Sequence, residues 1–201
     1  MSATLVLPPV ADGYLPRKKF TRAEVYRMLE LGLFEDRRFE LINGDVIDKM
    51  GQSARHSYSI RKFAAMLAKH FDPATVQIRS PIEVFHSDRE YSEPEPDIAV
   101  LAAADAAYRT RHPRGDEMIL VVEVADSSLR GDLTIKRDLY ARAGVPEYWV
   151  LDIIANRLIA HRKPSGGVYA DIVSFTETDS IPMPGASSGQ VIALASLFAS
   201  V

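Results

Sequence analysis

Glu123 is the only charged residue in the run 118–124, Met-Ile-Leu-Val-Val-Glu-Val, whose other side chains are apolar and largely β-branched. Such a run predicts a strand buried on both faces, where a carboxylate is costly to ionise unless a cation, a proton or strong hydrogen bonds compensate it. A second acid, Asp97, opens the strand-like segment 96–101 and lies 26 residues upstream (123 − 97). That separation suits two neighbouring strands joined by an excursion. Lys136 lies downstream on an expected helix. If the strands pair, the two carboxylates converge on one hard divalent cation. Mg²⁺ fits because it takes oxygen ligands, keeps several waters and uses only one or two carboxylates. The main-chain carbonyl of Val124 is a candidate third protein oxygen. In phosphodiester cleavage such an ion neutralises the phosphate and lowers the pKa of a bound water. A lysine beside it can orient that water and stabilise the developing charge.

Taken singly, these residues have plainer readings. An Asp after Pro is often a strand-entry residue, and Asp132 with Lys136 forms an i,i+4 pair that a helix surface would tolerate. Taken together they point to metal-dependent phosphodiester chemistry. Glu40 is a fourth candidate, because it interrupts the apolar neighbours of 39–42; a solvent-facing strand acid is the alternative. Asp132, Lys136 and Tyr140 fall on one helical face and could all stand beside the strand acids. His56 opens the second expected helix, where capping or packing is its simplest role. Glycine-rich phosphate loops, His-Glu-x-x-His zinc patterns and Gly-x-Ser-x-Gly elbows are absent.

The elements that must position these groups can be read in order. Thr21-Arg22-Ala23-Glu24 has the form of a capping box, and a short helix follows it to near Gly32. Asn43-Gly44 between 39–42 and 45–48 predicts a tight β-hairpin. Residues 53–71 carry the three-to-four apolar spacing of a helix. Residues 76–84 suggest one or two strand segments broken at Pro81. The stretch 102–117 supports either helix or loop. A helix is expected from about 131 to 143, ending at Gly144, then a buried strand at 147–152. Residues 157–161 and 168–175 suggest an antiparallel pair around Gly166-Gly167, and a short apolar element at 191–198 comes last. This order implies an α/β fold with a mixed sheet.

The chain of 201 residues has a net charge of −3 and no cysteine. This is enough for a single domain, with 1–17 expected as an N-terminal arm, 18–175 as the core and 176–201 as a C-terminal extension. The absence of cysteine excludes disulfides, thiolate metal sites and cysteine nucleophiles, and fits a cytoplasmic protein. With neither a bilayer-length apolar run nor a secretory pattern at residues 1–9, no membrane association is expected. The acidic balance argues against strong nonspecific polyanion binding by the molecule as a whole, though a local basic groove stays compatible with it.

The series Phe39-Glu40-Leu41-Ile42-Asn43-Gly44, His56, Glu95-Pro96-Asp97-Ile98, Val122-Glu123-Val124, Asp132 with Lys136 and Tyr140, and Gly144-Val145-Pro146-Glu147-Tyr148-Trp149 resembles the Uma-type restriction endonuclease family of the PD-(D/E)xK nuclease-like superfamily. The resemblance covers roughly residues 18–175. It implies a restriction-endonuclease-like core, a central mixed β-sheet flanked by helices, with Asp97 and Glu123 as metal ligands and Glu40 as the acid of the first core element. The usual Glu-x-Lys would place a lysine at position 125, where this chain has Ala125; the resembled family moves it to the following helix, here Lys136. The implied activity is Mg²⁺-dependent DNA cleavage, with Mn²⁺ also usable and a homodimer cutting both strands. His56, Asp132 and Tyr140 would support the reacting groups. Two rivals stay open: a nuclease-like module that binds nucleic acid or protein without cutting, and hydrolysis of another phosphoester such as RNA or a nucleotide.

Overall fold

The computed structural model describes residues 17–34, 37–49, 53–185 and 189–198, and most of the expected N-terminal arm lies outside the described residues. Thr21 caps α1 (Arg22–Glu30) with the reciprocal bonds of a capping box: its side chain accepts from Glu24 N, and the Glu24 carboxylate accepts from Thr21 N. β1 (Phe39–Ile42) and β2 (Asp45–Asp48) form the hairpin. Its turn needs positive φ at both central residues, 50° at Asn43 and 77° at Gly44. A side chain at position 44 would also meet Lys19, whose Cβ lies 2.7 Å from where a Cβ would stand. The Ser53 hydroxyl accepts from His56 N and starts α2 (Ala54–Leu67), one turn shorter than the periodicity suggests.

Six strands make the central mixed sheet, in the order β3 (Val76–Ile78), β4 (Ile98–Leu101), β5 (Met118–Ala125), β6 (Glu147–Asp152), β7 (Arg157–Ser165) and β8 (Val168–Thr176). All neighbours are antiparallel except β5 and β6. A parallel pair needs a crossover. This one consists of α3 (Leu129–Gly131), a π-helical turn (Asp132–Lys136) and α4 (Arg137–Arg142), closed by Gly144 at φ 77°. β3 is shorter than expected because Arg79 turns the chain into the left-handed region at φ 53°. The segment 102–117 resolves into two 3₁₀ turns (Asp105–Tyr108 and Gly115–Glu117).

Alternation along the strands divides the core. Ile98, Val100, Val122, Val124, Trp149 and Leu151 pack on the α2 side with Ile60, Phe63 and Leu67. Ala99, Leu101, Val121, Ala125, Tyr148 and Val150 pack on the other side with Leu139, Tyr140 and Ala141 of α4. With both faces covered, the central strands read as continuous apolar runs. Residue parity then sends Glu123 to the α4 side. The segment expected as an extension after residue 175 is itself packed: β9 (Ser180–Pro182), β10 (Val191–Ala193), the turn at Leu194 and α5 (Ala195–Phe198) contribute Ile181, Ile192, Leu194, Leu197 and Phe198 to the α2-side core. Among the described residues no helix is long and apolar enough to cross a membrane.

Gly115 ties the loop before β5 to the end of α4. A Cβ there would stand 2.5 Å from the Ala143 carbonyl oxygen and 2.7 Å from the Ala143 Cβ, so backbone must shift. Gly115→Ala is expected to cost about 2–3 kcal/mol of stability, read as a lower urea midpoint with unchanged slope.

Candidate active site

Strand register assembles the acids. Ile98 pairs with Ile78 on one side and Val122 on the other. Asp97, one residue earlier, therefore falls between Arg79 and Glu123 in a row across the strand ends. Two backbone bonds hold it: Arg79 N donates to the Asp97 carbonyl at 3.1 Å, and Val124 N donates to Asp97 Oδ2 at 3.0 Å.

Glu123 is 3% exposed. Two donors reach its Oε1, the Tyr140 hydroxyl at 2.8 Å and Lys136 Nζ at 2.9 Å. Lys136 Nζ also lies 2.8 Å from Glu40 Oε1. Glu40 arrives from the hairpin, and its Oε2 accepts from Glu95 N at 3.2 Å. The fold thus brings Glu40, Glu123, Lys136 and Tyr140 into one buried network, with Asp97 beside it. Asp132 stands further off, its Oδ1 3.9 Å from Lys136 Nζ, while its Oδ2 accepts from the Ser128 hydroxyl at 2.5 Å. The chain makes a π turn here, in which Arg137 N bonds back to the Asp132 carbonyl over five residues instead of four. The Tyr148 hydroxyl donates to the same carbonyl at 3.0 Å.

His56 serves the strand ends rather than the lysine. Its Nε2 donates to the Val124 carbonyl at 2.7 Å and lies 3.4 Å from Asp97 Oδ2. The carbonyl foreseen as a third metal oxygen therefore already accepts one hydrogen bond and keeps its second lone pair.

Lys49 is a residue the sequence reading passed over. It follows a strand of mostly exposed residues and looks like a surface lysine, yet its side chain is only 10% exposed and its Nζ lies 3.8 Å from Glu40 Oε2. It bonds the Glu95 carbonyl, and its charge is felt by both Asp97 and Glu123. The available signal was its position one residue beyond a hairpin arm that contains Glu40's partner strand.

Acids outnumber cations in the cluster, with four buried carboxyl groups (Glu40, Asp97, Glu123, Asp132) around the buried Lys136 ammonium and the nearby Lys49. Burial pushes Glu123 up to about 7, and the neighbouring Asp97 and Asp132 add to this, while Lys136 and Lys49 oppose it. Burial also works against the Lys136 charge, but Glu123, Glu40 and Asp132 outweigh it and hold the ammonium above its ordinary range. Asp97 is held below the usual carboxylate range: burial opposes its charge, but His56, Lys49 and the Val124 N–H overcome it. Burial likewise raises Asp132.

These groups line a cleft of about 380 Å³ that Ile47 and Ile135 also border. The donor set suits a hard divalent cation. It is all oxygen, it carries surplus negative charge, and Asp97 Oδ1 is buried with no hydrogen-bond partner in the structure. Among the described residues no three acidic or histidine side chains gather at coordinating spacing. A cation here would accordingly rest on one or two carboxylates, as Mg²⁺ commonly does.

Comparison with known proteins agrees with this geometry in broad class. The profile of the Uma2 family, described as "putative restriction endonuclease", matches residues 23–195. A crystal structure described as a putative nuclease belonging to DUF820 from Anabaena variabilis superposes with a TM-score of 0.70 at 14% identity, covering 90% of this chain and 98% of that one. At that identity the likeness speaks for the fold. No curated protein matches the chain.

Proposed function

The chain belongs to the Uma2 family of putative restriction endonucleases, and we propose that it is a Mg²⁺-dependent endonuclease that hydrolyses DNA phosphodiester bonds, with Mn²⁺ able to replace Mg²⁺. The observation that carries this reading is the buried cluster of Glu40, Asp97 and Glu123 around Lys136 at an open cleft. Asp97 and Glu123 would hold the cation, with the Val124 carbonyl as a third oxygen. When bound, it would offset the charge of the scissile phosphate and acidify a water.

The protein's own groups have distinct tasks. Lys136 stays protonated at any physiological pH, so it acts as a hydrogen-bond donor and a fixed positive charge, not as a base. It has three N–H donors, and Glu40 and Glu123 take two. The third is free to steer a water or a non-bridging phosphate oxygen, where negative charge develops. Tyr140 fixes the Glu123 carboxylate, and Glu40 fixes the ammonium. His56 holds the Val124 carbonyl and Asp97 in register. Two such sites in a homodimer would cut both strands of a duplex.

Supercoiled plasmid tests the reading. With Mg²⁺ or Mn²⁺ the protein is expected to convert it to nicked and linear forms, and chelator or Asp97→Ala is expected to stop this. Plasmid that stays supercoiled at high protein concentration, together with retained DNA binding, would instead favour a non-cutting nuclease-like module. Cleavage of RNA alone would move the substrate class.

A further inference from the structure

Resting on the nuclease reading, we propose that Arg79, with Arg61 of α2 and Arg38 beside the hairpin, forms a seat for a backbone phosphate of the nucleic acid next to the one being cleaved. The row across the strand ends carries the argument. Arg79 is the residue opposite Asp97 on the neighbouring strand, just as Glu123 is on the other side. Its main-chain N–H binds the Asp97 carbonyl at 3.1 Å, so the guanidinium is anchored to the same short segment as the reactive acid. Arg38 is brought to that segment from the other direction through its ion pair with Glu95, two residues before Asp97.

Two features set this cluster apart from ordinary surface arginines. Arg79 sits at φ 53°, a left-handed conformation that side chains other than glycine seldom adopt, and such positions gather at binding and reacting sites. Among the described residues, moreover, neither Arg79 nor Arg61 makes an ion pair, and Arg79 Nε is buried without a hydrogen-bond partner. Burial, then Arg38 and Arg61, press on the Arg79 charge, and Asp97 offsets them. An array of donors with repelling charges and an orphaned N–H calls for an anion. A guanidinium matches phosphate oxygens with paired donors. Phosphates of one strand recur along the duplex, so a seat flanking the carboxylates would set the register of the scissile bond while reading no base.

Binding of a labelled mixed-sequence DNA duplex, followed by fluorescence anisotropy with Ca²⁺ in place of Mg²⁺, tests this. One phosphate contact contributes about 0.9 to the slope of log affinity against log salt. Arg79→Ala and Arg61→Ala are each expected to lower that slope by about 0.9 and to weaken binding about tenfold near 0.1 M salt. Arg79→Lys should restore the slope, because it keeps the charge, which separates a lost contact from a damaged fold. Lys163→Gln, on β7 next to the far edge strand, should match wild type. Slopes unchanged in both alanine variants would overturn the phosphate seat whatever the cleavage assay gives. Arginine-dependent binding by a wild-type protein that cuts no nucleic acid would uphold the seat and overturn the nuclease reading.

Discussion

Lys136→Met is expected to abolish cleavage and to remove about 3–5 kcal/mol of folding stability, because it leaves two buried carboxylates without their cation. The ammonium is 2.8 Å from Glu40 Oε1 and 2.9 Å from Glu123 Oε1, and its side chain is 9% exposed, so water cannot easily take its place. The loss should depend on pH in a definite sense. Burial already raises the Glu123 carboxyl against the pull of Lys136, so without Lys136 it holds its proton still more tightly in the folded state than in the unfolded one. The folded state then binds more protons, and stability rises as pH falls towards the ordinary carboxylate range. Urea midpoints of the variant measured from pH 8 down to pH 5 should climb relative to wild type. A variant equally weakened at both ends would contradict the ion-pair account.

Glu123→Gln should separate activity from stability. Cleavage is expected to fall by about 10²–10³-fold, the usual loss when one preorganised electrostatic group is removed. Folding should suffer much less than with Lys136→Met, because glutamine keeps the shape and avoids a charge that burial disfavours. The sign again follows from the shift: folding raises the Glu123 carboxyl from 4.5 to about 7. Its contribution to stability is full below the unfolded value, declines as pH rises between the two, and is gone above the folded value. Metal-free wild type should therefore lose stability across pH 4.5–7, and Glu123→Gln should lack that part of the slope. Denaturation curves at closely spaced pH values, beside plasmid assays on the same samples, would show both effects.

Much of this site can be read from the chain because local signals and chemistry coincide. Asn43-Gly44 fixes the hairpin that delivers Glu40, and an acid inside an eight-residue apolar strand has few places to go. The i,i+4 spacing of Lys136 and Tyr140 survives folding, and both meet one carboxylate oxygen. Other features leave no such trace. The π turn between Asp132 and Lys136 alters no hydrophobic pattern, so the spacing that marks the pair as i,i+4 neighbours does not reveal it. Lys49 becomes part of the site only through tertiary packing, and no periodicity marks it. The tail beyond residue 175 hides alternating core residues behind polar and Pro/Gly-rich neighbours, so its packing into the core was not apparent.

The single parallel pair, β5 with β6, also governs the order in which the site can come together. Glu123 and its ammonium belong to one strand–helix–strand unit and are only 13 positions apart along the chain. That loop is short enough to close early at little entropic expense. The carboxylate thus has its counterion as soon as the crossover docks. Glu40 must travel from a hairpin 96 positions away from Lys136 (136 − 40). Its arrival completes the cleft and is expected to come last, and refolding in which Glu40→Gln leaves the slowest phase unchanged would contradict that order.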